Sequence, residues 1–321
     1  MKLAFILDRL EDIKISKDSS YAMLREAVLR NHQVYVLHQE DIIWRDSSVV
    51  SFVKVLTMSE KTAQAGSWHL LGETLTMPLQ VFDAVLMRKD PPFNMEYIYS
   101  TYLLELAEKQ GARIINSPRG IRDFNEKLAI AKFPQFIPPT LVTRRETLIL
   151  EFLQQHQDII LKPLDSMGGA SIFRIHAADH NINVIVETMT HYGTRTIMAQ
   201  RYIPEIIQGD KRILMIAGKP VPYALARIPK PGETRGNLNT GGTGVARPLS
   251  PQDKLIAETL GPELLRQGLM LVGLDVIGDC LTEINVTSPT GMQEIHAQTE
   301  FNVAGMMIDA IEEMAGGSVG Q

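Results

Sequence analysis

Residues 271–291 read LVGLDVIGDCLTEINVTSPTG, and the fold turns on how this stretch is read. Two β-forming runs, 269–277 and 281–286, flank Gly278-Asp279-Cys280, so the segment reads as a hairpin closed by two or three residues. Side chains alternate across a strand, so Glu283 and Asn285 share one face while Thr282, Ile284 and Val286 take the other. Turn length decides where Asp275 stands. A three-residue loop sets it opposite Glu283, whereas a two-residue loop sets it opposite Thr282 with Glu283 on the far side. The first arrangement is predicted. Asp275, Glu283 and Asn285 then form a cluster of hard oxygen donors, of the kind that holds Mg²⁺ together with nucleotide phosphates.

Upstream, a short apolar strand at 158–161 delivers Lys162 into Pro163-Leu164-Asp165-Ser166-Met167-Gly168-Gly169-Ala170-Ser171. A glycine pair among small residues lets backbone N–H groups approach phosphate oxygens, and a lysine before it supplies a compact positive charge. A Gly-Gly hairpin turn is the alternative, but a second lysine, Lys127, favours a triphosphate clamp. The strand at 196–202 ends in Gln200, Arg201, Tyr202 and Ile203, a hinge whose backbone suits an adenine edge. Asp210 and Arg212 then open a strand pair that carries Arg227, and arginine is the side chain best shaped for bidentate contact with carboxylate or phosphate. Residues 229–244 are rich in glycine and nearly devoid of apolar side chains, the composition of a lid that orders over ligand and carries Arg235 inward.

The N-terminal third reads differently. An apolar run at 2–7 ends at Asp8, a periodic segment with Ser19 or Ser20 as N-cap follows, and 33–37 is a second strand, so a βαβ unit is predicted. Residues 46–78 read only as an antiparallel or loop insertion. A strand at 81–87 runs into Arg88-Lys89-Asp90-Pro91-Pro92, charges placed where a strand meets a substrate edge. The first ~120 residues thus form a small α/β sheet domain without a G-x-G-x-x-G fingerprint.

Composition bounds the rest. With 321 residues the chain accommodates two domains or a lobed one, and a net charge of −5 leaves no basic footprint for nucleic acid. The single cysteine, Cys280, excludes an intramolecular disulfide and suits a reducing cytoplasm. No apolar run approaches the roughly 20 residues that span a bilayer, so no membrane partner is expected.

Taken together, MRKDPPF (87–93), NEKL (125–128), IILKPLDSMGGASIFR (159–174), GDKR (209–212), ARIPKPGETRGNL (226–238) and VGLDVIGDCLTEINVTSP (272–289) resemble the ATP-grasp ligases, and among them the bacterial glutathione synthetase family. The resemblance spans essentially the whole chain. It implies an N-terminal parallel-sheet α/β substrate domain (1–123), followed by a two-lobed ATP-grasp fold with lobes at 124–203 and 204–321. It also implies ATP and Mg²⁺ (or Mn²⁺), joining of γ-glutamylcysteine to glycine, and a homo-oligomer, a tetramer in the family.

Carried over by position, Lys127, Lys162, Gly168 and Gly169 resemble the phosphate site, Gln200 to Ile203 the adenine hinge, and Asp210 a ribose or substrate contact. Asp275, Glu283 and Asn285 match the magnesium positions. Arg88, Arg227, Asn285 and Ser288 resemble substrate contacts, and Arg212, Arg227 and Arg235 the catalytic cations. Ser166 stands where relatives often carry glycine, and Asn239, Thr240 and Thr243 depart within the lid. Cys280 and the scattered histidines are given no catalytic part. Another ATP-grasp carboxylate–amine ligase, or a non-catalytic nucleotide-binding module, remain the alternatives.

Overall fold

Three sheets are laid out along the chain in sequence order. The computed structural model describes residues 1–58, 67–233, 236 and 241–316. The first sheet takes β1 (Lys2–Ile6), β2 (Gln33–Leu37), β3 (Ile42–Arg45), β4 (Ser48–Thr57), β5 (Leu70–Pro78), β6 (Ala84–Met87) and β7 (Ile114–Ile115). Their order is β3-β4-β2-β1-β6-β7, with β5 on β4. The β2-β1-β6-β7 half is parallel, as the βαβ reading requires, and β1 is buried at every position after Lys2. Within the 46–78 stretch, read as an antiparallel or loop insertion, β4 and β5 build much of the antiparallel half.

Helix α1 (Ser19–Leu29) corrects one expectation. Its N-cap is Asp18, whose carboxylate accepts from Tyr21 N at 2.9 Å, and Ser19 and Ser20 are buried inside the first turn. Helix α2 (Met95–Lys109) is capped in the same way by Asn94 and stops before Gly111 at φ +97°. The short α3 (Pro118–Asp123) follows, with Pro118 at its first position.

The second sheet is β10-β9-β11-β8, from β8 (Thr140–Thr143), β9 (Asp158–Pro163), β10 (Phe173–His176) and β11 (Ile197–Arg201). It is wholly antiparallel, and α4 (Glu146–His156) and α5 (Ile182–Thr190) cover it. Ile149, Leu153, Ile159, Leu161, Ile175, Val186 and Ile197 form its own core, separate from the two clusters that hold the rest. This lobe therefore has the packing of a semi-independent unit.

The third sheet is β14-β13-β12-β15-β16, from β12 (Asp210–Ile216), β13 (Lys219–Ile228), β14 (Thr243–Pro248), β15 (Leu271–Ile277) and β16 (Cys280–Asn285). Ala217 and Gly218, at φ +48° and +76°, close β12 on β13 with the left-handed backbone a tight hairpin needs. Strand β14 begins inside the stretch expected to be a structureless lid: Thr243 and Gly244 pair with Ile228 and Arg227. Helix α6 (Pro251–Arg266) backs the sheet behind a Ser250–Asp253 capping box.

Two devices fasten the third sheet to the first. Buried Asn116, just after β7, donates to the Leu271 and Val286 carbonyls at 2.7 and 2.8 Å and accepts from Leu271 N at 2.9 Å. All three bonds are sequestered from water, where amide pairing is strongest. After α7 (Met292–Thr299), the last helix α8 (Val303–Gly316) returns to α1, where Arg30 reaches Glu26, Asp309 and Glu312 at 2.8, 2.6 and 3.1 Å.

Candidate active site

The β15–β16 hairpin sets the site, and its geometry differs from the predicted one. Ile277 pairs with Cys280 and Val276 with Leu281, so the turn has two residues, Gly278 at φ +56° and Asp279. Continued regularly, that register would set Asp275 against Thr282. Instead the ladder shifts by one residue, and Asp275 pairs with Glu283 and Gly273 with Asn285. Thr282 is the extra residue of a β-bulge, and its hydroxyl donates to the Asp275 carbonyl at 3.1 Å. The predicted pairing is present, but a bulge produces it, and Thr282 lines the cavity instead of facing away.

That cavity lies between the second and third sheets. Its wall includes Lys127, Lys162, Gly168, Gly169, Gln200, Arg201, Tyr202, Ile203, Asp210, Asp275 and Glu283, so eleven of the residues singled out from sequence converge there. Ile160, Ile172, Ile206 and Ile277 complete it with an apolar surface that sequence reasoning missed. The only signal for them is that Ile160 and Ile277 share strands with Lys162 and Asp275 at a spacing of two. An apolar surface beside buried cations suits a nucleotide, base against the one and phosphates against the other.

The two lysines are not equivalent. Lys127 is almost fully buried and donates to Glu126 and to the Ser166 carbonyl, with Glu283 at 3.9 Å. Burial alone would lower its pKa, but Glu283 and Glu126 outweigh that and hold it above the ordinary value. Lys162 is also buried, yet its ammonium makes no hydrogen bond or ion pair among the described residues, and burial pulls its pKa down. An unpaired buried ammonium is a standing attraction for an anion.

A second, more polar cavity shares Gly168 with the first and is lined by Asp90, Glu126, Arg212, Arg227, Asn285, Ser288 and neighbouring residues. Arg212 grips Asp275 with both arms of its fork, Nε to Oδ1 at 2.6 Å and Nη2 to Oδ2 at 3.0 Å. Arg227 Nη2 reaches Asp275 Oδ2 at 2.8 Å and Asp210 Oδ2 at 2.5 Å. Burial would raise the Asp275 carboxyl, but the two guanidinium groups override it and hold it well below the usual range. Asp210 bonds only to Arg227, and burial, with the Asp275 and Glu283 charges behind it, pushes its carboxyl up to about 6. Its Oδ1 is buried without a partner among the described residues. Glu126, buried beside Glu283, is pushed up to about 7.

Arg88 stands outside both cavities. It is buried, and its guanidinium is committed to Ser20 Oγ at 3.1 Å and to the Thr287 and Pro289 carbonyls at 3.4 and 3.0 Å. It thus pins the loop after β16 to the first sheet, and Ser288 on that loop donates to Asp90. Arg235 lies outside the described residues. Cys280 is half-buried at the hairpin turn, off both cavity walls.

The donor set bears on a metal. Among the described residues no three carboxylate, imidazole or thiol groups converge to hold an ion by themselves. Among the described residues the Glu283 carboxylate and the Asn285 side-chain carbonyl oxygen accept no hydrogen bond. Asp275 uses three of the roughly four acceptor positions a carboxylate has. Hard oxygens on one strand face, incomplete alone, fit a cation whose other ligands come from a nucleotide.

Residues 1–122 match the family model for the prokaryotic glutathione synthetase N-terminal domain, and residues 126–300 match that family's ATP-grasp domain. The chain belongs to the prokaryotic glutathione synthetase family. Within it the chain is 69% identical over 313 residues to the glutathione synthetase of Nitrosomonas europaea, covering 98% of each. The fold is shared more widely. A D-cycloserine synthetase superposes with a TM-score of 0.69 at 14% identity, covering 98% of this chain and 100% of that one. An ATP-grasp ligase solved with its minimal precursor, Mg and ADP gives 0.62 at 14% identity, covering 98% of both. The protein is accordingly an ATP-dependent ligase of ATP-grasp architecture. No helix among the described residues is long and apolar enough to cross a membrane.

Proposed function

We propose that the protein joins γ-glutamylcysteine to glycine at the expense of ATP, releasing ADP and phosphate. The observation that carries this reading is the pair of cavities meeting at Gly168, one a nucleotide-shaped slot with two buried lysines, the other framed by Arg212 and Arg227. The relative from Nitrosomonas europaea bears the name of this activity.

A carboxylate does not acylate an amine in water without activation. The γ-phosphoryl of ATP passes to the cysteinyl carboxylate, giving an acyl phosphate; the glycine amine then attacks the acyl carbon and phosphate leaves. Such transfers ask the protein mainly for positioning and charge neutralisation. Lys127, Lys162, Gly168 and Gly169 hold the phosphates, and Gln200, Arg201, Tyr202 and Ile203 receive the base. Asp210 lies at the ribose end or beside the acyl substrate. Arg212 and Arg227 neutralise the reacting carboxylate and the oxyanion of the tetrahedral intermediate, with Arg235 brought in from the 229–244 lid. Asn285 and Ser288 contact the acyl substrate, while Arg88 acts by fixing their loop.

Glu283 and Asn285, with Asp275 as third donor, would hold Mg²⁺ or Mn²⁺, which would supply charge neutralisation for phosphoryl transfer. Residues 1–123 serve as the substrate domain and 124–203 and 204–321 as the lobes, in a cytoplasmic homo-oligomer.

The test is phosphate release from Mg·ATP with γ-glutamylcysteine, with and without glycine, and the product weighed by mass spectrometry. Glycine-dependent release with one tripeptide per phosphate is the expected result. Release independent of glycine would redirect the search to another acceptor, and no release at all would leave only the nucleotide-binding module.

A further inference from the structure

The adenine hinge is held from outside by a group that never touches the nucleotide slot. The Arg174 guanidinium, on β10, sits 3.6 Å from the centre of the Tyr202 ring, well inside cation–π range. The same guanidinium is clamped by Asp158, with Nε at 3.0 and 3.3 Å from the two carboxylate oxygens and Nη2 at 2.7 Å from Oδ2. Asp158 closes the circuit through its backbone, whose carbonyl accepts from Tyr202 N at 3.0 Å. Tyr202 lines the nucleotide cavity; Arg174 and Asp158 do not.

Each link has a reason in the fold. Asp158 opens β9 and Arg174 lies on β10, its antiparallel neighbour, where Arg174 pairs with Ile160 and His176 with Asp158. His176 Nδ1, at 3.6 Å, is the other basic group beside the carboxylate. The hinge leaves β11 on the opposite side of β9, which places Tyr202 at the end of the strand that Asp158 begins. A guanidinium stacked on a ring and forked on a carboxylate has little rotational freedom left, and its charge is reinforced first by the Asp158 hydrogen bond.

We propose that Arg174, oriented by Asp158, is a positioning residue that fixes the pose of Tyr202 and thereby the affinity and base selectivity of the nucleotide slot. The proposal rests on the nucleotide reading of that slot. It requires no contact between Arg174 and ligand, and it gives a role to the Asp158–Arg174 ion pair, which lies off the cavity wall.

The probe is Mg·ADP, titrated calorimetrically into the full-length wild type, Arg174→Ala, Arg174→Lys, Asp158→Asn, Tyr202→Ala and the Arg174→Ala/Tyr202→Ala double variant. Loss of the stacked pair should weaken ADP binding about three- to tenfold in Arg174→Ala. Arg174→Lys, which keeps the charge without the planar fork, should fall between it and wild type, and Asp158→Asn should lose part of the affinity. The Mg·GDP to Mg·ADP affinity ratio should rise in Arg174→Ala, while binding of γ-glutamylcysteine alone stays at the wild-type value. Adding Arg174→Ala to Tyr202→Ala should cost nothing further.

ADP affinity within twofold of wild type in Arg174→Ala would overturn the proposal. So would a full additive loss in the double variant, or equal weakening of ADP and γ-glutamylcysteine, which marks general loosening. A wild type that binds no ADP sinks the nucleotide reading and this inference together. One that binds ADP but makes no tripeptide sinks only the substrate assignment, and the ADP titrations still decide the role of Arg174.

Discussion

Glu283 faces Asp275 across the β15–β16 ladder only because Thr282 is inserted between the register of the turn and the register of the site. Hairpins carrying such a bulge gain local twist, and bulges commonly re-aim a side chain next to a site. Glu283 is thereby set beside Lys127, at 3.9 Å, and among the described residues its carboxylate has no hydrogen-bonded partner. Glu283→Gln keeps the size and removes the charge, so turnover should fall by at least about 100-fold, as for loss of a transition-state charge partner. Raising Mg²⁺ should recover little of it. Near-normal turnover at saturating Mg²⁺ would contradict the ligand assignment.

Asp275 is the hub of the arginine pair, and its removal should be felt in stability before activity is measured. Asp275→Asn leaves Arg212 and Arg227 buried, with only Asp210 still facing Arg227. Breaking a buried pair on one side costs about 3–5 kcal/mol. Urea unfolding of the unliganded protein should show that loss as a lower midpoint with the slope unchanged. An unaltered midpoint would mean that water or a chloride ion neutralises the arginines at no cost.

How much of this was legible beforehand depends on whether the determinant is local. Lys162 before Gly168-Gly169 and the shared face of Glu283 and Asn285 could be read because strand alternation is a local rule; Lys162, Asp275 and Glu283 line one cavity, and Asn285 lines the adjoining one. The bulge could not: a two-residue turn plus an insertion and a three-residue turn produce the same pairing at Glu283. The bonds of Arg88 to Ser20, Thr287 and Pro289 were not legible, because exit from a strand into charged residues looks the same whether the guanidinium meets a substrate or two backbone carbonyls. Asp18 displaced the serines as cap for a similar reason, since all three side chains can accept from the first turn. Strand β14 was hidden because Thr243 and Gly244 carry no apolar signal, and pairing with Ile228 and Arg227 recruits them. The Arg174–Tyr202 stack joins residues 28 apart, beyond any periodicity.

Lys162 predicts opposite signs for stability and binding. With no protein partner among the described residues, its burial lowers its own pKa and stores unfavourable energy in the empty site. Lys162→Met fills the same volume without charge. The unliganded variant should melt about 1–2 °C higher, the shift that about 1 kcal/mol produces in a chain of this size, while ADP affinity falls about 100-fold. A variant that loses both stability and affinity would show that Lys162 is a structural cation.

Glu108 supplies a pH dependence away from the site. Half-buried on α2 near Glu105, its carboxyl is pushed up to about 7, burial first and Glu105 second. The sign follows from the folded value lying above the unfolded one. Between about pH 4.5 and 7 the folded state holds a proton that the unfolded state has released, so this group's contribution to stability declines as pH rises through that window. Glu108→Gln abolishes the decline and should stabilise the protein at pH 8 by about 1 kcal/mol, after discounting for solvent screening. Melting temperatures of both proteins at pH 5 and pH 8 measure it, and a difference that does not grow with pH would place the Glu108 carboxyl in water.

Arg88 separates positioning from contact. Its three bonds tie Ser20, on α1, to the carbonyls of Thr287 and Pro289, which flank Ser288 on the wall of the arginine-framed cavity. Lysine keeps the charge but presents a single donor point and cannot span both carbonyls. Arg88→Lys should therefore let the 287–290 loop drift, raising KM for γ-glutamylcysteine about tenfold, the scale of a lost charge-assisted bond. KM for ATP should stay within about twofold, because no atom of Arg88 lines the nucleotide cavity. A γ-glutamylcysteine KM unchanged in Arg88→Lys would mean that the loop is held by the Ser288–Asp90 bond and the Arg212 contact to the Thr290 carbonyl at 3.3 Å without help from the first sheet.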